Sequence, residues 1–257
     1  NIGPLSYLLF GSFLSLIGVV ASDLIRNLFL VSLAEPAGFI ERGVITVGLL
    51  VCALSIFSFG RAFGQDFLFR WSRILLHLTM LRILWFDLLI HNPMFDASQL
   101  VGSLPVGNGV TMTYGAGLLA SIFVANGAAR ERFAIRSLYK TLGFILLFAL
   151  VTLQVRQAFH GSLLADQNMS HAEFYTYSFA WLLIGLGLLT AGIVLPSRTA
   201  RMASLAFLLL TTGKVFLLDA DELEGLYRVF SFLGLGISLI GLSFFYTRFI
   251  LKAAQPR

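Results

Sequence analysis

Apolar runs of roughly 20 residues recur along this chain, and that is the length a helix needs to cross a bilayer core about 30 Å thick. Irregular backbone facing lipid would leave its polar groups unpaired, so runs of this kind form helices. They fall near 4–21, 43–60, 74–90, 110–127, 141–160, 174–194, 202–218 and 229–247. The pattern predicts an all-α, polytopic transmembrane helix bundle of about eight spans. Composition agrees, since 58% of the 257 residues are hydrophobic and only 12% are charged. Soluble domains carry about a quarter charged residues.

Two long connections interrupt the runs. Segment 22–42 carries Leu24, Ile25, Leu28 and Phe29 at helical spacing and suits the membrane interface. Segment 91–109 is punctuated by Pro93, Gly102, Pro105, Gly107 and Gly109 and reads as loop. One cysteine, Cys52, excludes a disulfide framework and a cysteine metal cluster. The net charge of +5 does not point to nucleic acid, because the basic residues flank apolar spans rather than forming one patch.

Those flanking charges orient the chain, since lysine and arginine beside spans are retained on the cytoplasmic side. The even-numbered connections and the C-terminal flank hold twelve: Arg61, Arg70, Arg73, Arg130, Arg132, Arg136, Lys140, Arg198, Arg201, Arg248, Lys252 and Arg257. The odd-numbered connections hold Arg26, Arg42 and Arg228, and most of the acids. Both termini are therefore expected on the cytoplasmic side of the membrane. The chain opens with Asn1 and its first apolar run has no basic flank, so no signal peptide is indicated and a C-terminal piece of a longer protein is expected.

One offset repeats. Tyr7 and Gly11 match Tyr139 and Gly143, Gly60 matches Gly192, and Arg82-Ile83-Leu84-Trp85-Phe86-Asp87 matches Lys214-Val215-Phe216-Leu217-Leu218-Asp219, each pair 132 residues apart. A basic residue and an aspartate are scarce inside spans, so their recurrence at one spacing argues for duplication. Residues 1–127 form a first four-span repeat and 128–257 a second, and an even number of spans in each makes the repeats parallel. Small residues at Gly117, Ser121, Gly185, Gly187, Ala191, Gly234 and Ser238 suit close helix packing in lipid.

Ionisable groups inside a bilayer are costly, which makes His77, Arg82, Asp87, Lys214 and Asp219 the candidate functional residues. Arg82 and Asp87, like Lys214 and Asp219, are five apart, about 140° round an α-helix, so each is expected to need a partner elsewhere. Packing of the two repeats would offer Arg82 to Asp219 and Lys214 to Asp87. On the outer side, Asp221, Glu222 and Glu224 form an acidic run of the kind usually found on a solvated face. His160, Asp166, His171 and Glu173 cluster in the fifth connection without matching a metal-ligand spacing, so no metal and no cofactor is expected. Thr211-Thr212-Gly213-Lys214 lacks the upstream glycine of a phosphate-binding loop and lies inside an apolar span.

Lys214-Val215-Phe216-Leu217-Leu218-Asp219, followed by Leu223-Glu224-Gly225-Leu226-Tyr227-Arg228-Val229-Phe230-Ser231-Phe232-Leu233-Gly234-Leu235-Gly236, resembles the C-terminal end of bacterial predicted membrane proteins grouped as domain of unknown function 2339. The resemblance is specific over residues 200–250. It implies localisation in the bacterial cytoplasmic (inner) membrane and a many-spanned architecture, and it carries over no catalytic residue. The expected role is a scaffold or partner-binding bundle of a larger cell-envelope protein. Its partners would be membrane lipids and further transmembrane segments of a longer chain or other membrane subunits. The alternative is a transporter or a membrane enzyme acting on a lipid-linked or glycan substrate from the outer face.

Overall fold

A computed structural model describes residues 38–127, 133–165, 168–219 and 226–245, together with Thr247. The expected span 4–21 and nearly all of segment 22–42 lie outside the described residues. Among those described there are seven α-helices and no strand: α1 (Phe39–Ala62), α2 (Asp66–Arg82), α3 (Ala116–Gly127), α4 (Phe133–His160), α5 (His171–Val194), α6 (Arg198–Lys214) and α7 (Leu226–Phe245). Three of them, α1, α4 and α5, are long and apolar enough to cross a membrane.

The apolar runs end where the helices end, but several helices begin earlier than the runs do. α2 starts at Asp66 and α4 at Phe133, each adding about two turns of mixed sequence ahead of the expected span. Hydropathy marks the hydrocarbon core, whereas backbone hydrogen bonding carries a helix on into the interface. Three segments depart from α geometry into π-turns, at Ile83–Ile90 continuing α2, Thr111–Gly115 leading into α3, and Val215–Asp219 continuing α6.

The chain divides into two compact units, residues 1–166 and 167–257. In the first, α1 and α2 form a hairpin closed by a Schellman turn: Gly64 takes φ +65° and Gln65 N–H donates to Gly60 O at 2.9 Å. Gly60 lies against the start of α2, where a Cβ would come within 2.8 Å of Phe69 N. α3 and α4 pack beside this hairpin around a core that includes Leu49, Leu75, Ile83, Tyr114, Tyr139 and Leu146. Gly117 admits Leu146 and Ile83 at contact distance, the close approach its small size suggested.

Loop 91–109 is tied down rather than free. Val101 N–H donates to Ser162 O at 3.0 Å, Gly109 N–H donates to Val101 O at 2.8 Å, and Gln157 Nε2 reaches the carbonyls of Gly102 and Ser103. Val101 and Leu164 are fully buried beneath it. Within the loop Asp96 accepts hydrogen bonds from Ser98 and Gln99 and lies 3.5 Å from His91 Nδ1. Partial burial raises the Asp96 pKa, but the hydrogen bonds from Ser98, Gln99 and His91 outweigh it and hold the carboxyl below its usual range.

The second unit contains a hairpin of its own, α5 and α6. Ser170 caps α5 by accepting Glu173 N–H at 3.1 Å, and Ser197 caps α6 by accepting Ala200 N–H at 3.3 Å. Ser197 N–H donates to Gly192 O at 3.1 Å, and a Cβ on Gly192 would come within 2.9 Å of Arg201 N. Gly185 likewise meets Leu208, whereas a Cβ on Gly187 would meet nothing within 4 Å among the described residues.

Candidate functional site

Three charged groups of the first unit, Arg42, Arg82 and Asp87, converge at one end of the α1–α2 hairpin. On α1 the residues Phe39, Arg42, Gly43, Thr46, Leu49, Leu50 and Ala53 are all buried, one stripe at helical spacing that turns Arg42 and Thr46 inward with the apolar side chains. Asp87 meets them from the π-helical continuation of α2. Arg42 Nε donates to Asp87 Oδ1 at 3.1 Å, and Arg82 Nη1 lies 3.3 Å from Asp87 Oδ2. Arg82 Nη1 also donates to Thr46 Oγ1 at 2.6 Å, and Thr46 Oγ1 donates to Arg42 O at 2.8 Å. Tyr114 closes the cluster from the turn ahead of α3 by donating its hydroxyl to Asp87 O at 2.6 Å. Arg42 and Asp87 are wholly buried and Arg82 is 3% exposed.

Here the expectation drawn from α-helical spacing fails. Arg82 and Asp87 do pair, within one continuous helix, because the backbone between them leaves the α register. A π-turn bonds i to i+5 rather than i to i+4, so residues five apart are brought one above the other. No partner from a second repeat is then required. Both carboxylate oxygens of Asp87 are engaged by arginines of its own unit.

In the second unit Lys214 donates to Phe174 O at 2.8 Å and to Ser178 Oγ at 2.9 Å, while its ammonium sits 3.7 Å from the centre of the Phe174 ring. The positions correspond to those of the first unit at the 132-residue offset: Lys214 to Arg82, Ser178 to Thr46 and Phe174 to Arg42. The Phe174 ring face adds a cation–π contact to the hydrogen bonds of this partly buried ammonium. Asp219 closes the π-turn that follows Lys214, and its side chain lies outside the described residues, as do Asp221, Glu222, Glu224 and Asp166.

His77 does not join either cluster. It lies ten residues before Asp87, about 15 Å along the axis, where its Nδ1 faces Arg73 O and its ring meets Tyr139 edge-on at 5.4 Å. Of the fifth-connection group, Glu173 is buried and accepts the Tyr177 hydroxyl at 2.8 Å, which makes it a helix-start contact. No group of three metal-ligating side chains occurs among the described residues. Sequence reasoning missed Arg42, Thr46 and Tyr114. Arg42 and Thr46 could have been found, because they fall on the buried stripe of α1, four residues apart.

Apolar helices that shelter their charges in internal clusters define a helical membrane protein. The chain belongs to the family described as Predicted membrane protein (DUF2339), whose sequence model matches residues 4–249. The resemblance therefore extends from the C-terminal motif to nearly the whole chain. No curated protein and no solved structure matches it.

Proposed function

We propose that this chain is a scaffold bundle of the bacterial cytoplasmic membrane, forming part of a larger cell-envelope assembly, with its buried charges fastening helices together. The observation that carries the reading is the closure of the Arg42–Asp87–Arg82 cluster, in which the carboxylate is fully buried and takes an arginine on each oxygen. A group held in this way is withdrawn from substrate and from bulk proton exchange. Removing one partner would strand a buried charge, so the cluster fixes how α1, α2 and the segment before α3 meet.

The same reading takes the bundle as eight spans in two parallel four-span repeats, 1–127 and 128–257, with both termini cytoplasmic. It is supported by hairpins whose bounds match at the 132-residue offset: Phe39–Ala62 with His171–Val194, and Asp66–Arg82 with Arg198–Lys214, each followed by a π-turn. Their turns also match, Gln65 N–H to Gly60 O in one and Ser197 N–H to Gly192 O in the other. Buried hydroxyls repeat as well, Thr79 and Thr211 each donating to the carbonyl four residues before at 2.8 Å.

The alternative, a transporter or an enzyme working on a lipid-linked or glycan substrate from the outer face, draws on one observation. Arg42, Asp87, Arg156 and Lys214 all lie towards the ends of their helices that the charge bias places outside. A charge-free triple variant, Arg42→Met with Arg82→Met and Asp87→Leu, separates the two readings. The scaffold reading expects the variant to fold and to complement a deletion strain as the wild-type gene does. A variant that is folded and correctly inserted but fails to complement would show that the charges perform chemistry.

A further inference from the structure

The first unit treats the cations at its two ends differently. Towards one end Arg42, Arg82 and Arg156 are all buried, the first two on Asp87 and the third donating to Leu164 O at 2.9 Å. At the other end α1 and α3 finish and α2 and α4 begin, brought together by ring contacts of Phe57 with Phe69 and Phe123 and of His77 with Tyr139. That end carries Arg61, Arg70, Arg73, Arg136 and Lys140, none of them buried, against Asp66 as its one acid among the described residues. Two of these cations are held on facing helices. The Arg73 guanidinium lies 5.8 Å from the centre of the Phe69 ring, and Arg136 Nε donates to Ala125 O at 3.4 Å. His77 and Tyr139 mark where α2 meets α4. Arg73 and Arg136 precede them in their helices, so both stand one turn, about 5 Å, beyond that contact towards the end of the unit. Lys140 follows Arg136 at i+4 spacing and shares its side of α4. The outer stripe of α2 beside them is apolar, since Phe67, Trp71, Ile74, Leu78 and Leu81 are exposed at helical spacing. It runs unbroken from the apolar span into the turns that carry Arg70 and Arg73.

We propose that this end of the first unit binds the headgroup of an anionic phospholipid, its phosphate held between Arg73 and Arg136 with Lys140 beside them, and Phe67 and Trp71 level with the start of the acyl chains. Charge and depth select that occupant. α1 and α4 are long and apolar enough to cross a membrane. The ends of such helices fall at headgroup depth, where aromatic rings and basic side chains collect. Guanidinium groups take phosphate oxygens in charge-assisted, paired hydrogen bonds. A soluble anion would match the cations alone, whereas a phospholipid matches the cations and the apolar stripe that adjoins them. In the orientation proposed above, the lipid belongs to the cytoplasmic leaflet. The binding itself rests neither on that orientation nor on the scaffold reading.

Trp71 can report its own neighbours. The chain has 3 tryptophans, so Trp85→Phe with Trp181→Phe leaves Trp71 as the one indole fluorophore. The whole chain in this background is reconstituted in phosphatidylethanolamine vesicles holding a minor fraction of phosphatidylglycerol, with bromine on the acyl chains of one lipid or the other. Brominated phosphatidylglycerol should quench Trp71 about fivefold more strongly, mole for mole, than brominated phosphatidylethanolamine, the enrichment expected from a basic residue at an anionic headgroup. Arg73→Gln with Arg136→Gln and Lys140→Gln should make the two lipids equal, whereas Arg73→Lys with Arg136→Lys keeps the charge and should keep the preference. Equal quenching before any of these cations is changed overturns the proposal, whether or not the neutral variant folds. A preference that the folded neutral variant retains also overturns it. Glycerol phosphate added in solution has the charge of the headgroup without acyl chains and should leave the preference intact. If it abolishes the preference, the occupant is a soluble anion and the proposal falls.

Discussion

Asp87 shows how one carboxylate can organise several helices in an environment that penalises charge. Its stabilisation depends on both arginines, and loss of the negative charge leaves two guanidinium groups in a dry site. Asp87→Asn is therefore expected to cost about 3–5 kcal/mol, read as a lower unfolding temperature and a lower folded yield in detergent. Adding Arg82→Met should recover part of that loss, since it removes a charge that the neutral amide no longer balances. Simple addition of the two single losses would mean that the 3.3 Å contact contributes nothing. In the second unit Lys214 lies over the Phe174 ring, and Phe174→Leu should destabilise by about 1–2 kcal/mol through loss of the cation–π contact, whereas Phe174→Tyr, which keeps the face, should be close to neutral. Unfolding midpoints of the two variants compare these directly.

At the scale of the element, the two hairpins depend on glycine where their helices cross. Gly60→Ala would drive a methyl to 2.8 Å from Phe69 N and Gly192→Ala to 2.9 Å from Arg201 N, both against backbone that cannot rotate away. Each is expected to cost about 1–3 kcal/mol. Gly48→Ala on α1 meets nothing within 4 Å among the described residues and should be neutral or slightly stabilising, because alanine is the better helix former. If all three variants unfolded together, close crossing would not be what holds the hairpins. The π-turn after Arg82 belongs to this scale too. The apolar run 74–90 contains no proline or glycine to announce a change of register, so periodicity alone places Asp87 on the wrong face.

At the scale of the molecule, topology is the point on which the functional reading turns. With both termini cytoplasmic, cysteines at Leu104 and Met169, which are 67% and 46% exposed in the connections expected outside, should react with an impermeant maleimide on intact spheroplasts. Asn108 lies in the same loop but is buried, so it is unsuited to the purpose. Reaction only after lysis would invert the chain. The helical class of this architecture was legible in sequence because a bilayer leaves few choices, and apolar length dictates a helix. The family assignment followed from the Lys214–Gly236 motif for the same reason, since order along the chain is all it requires. Which charges meet was decided only in three dimensions. Arg42 read as a loop flank until α1 began at Phe39, Tyr114 reaches the Asp87 carbonyl only through the tertiary fold, and Arg82 and Asp87 read as strangers until the π-turn aligned them. Hydropathy averages over a window of residues, whereas a salt bridge depends on a rotation of one residue and on the neighbour that a tertiary contact supplies.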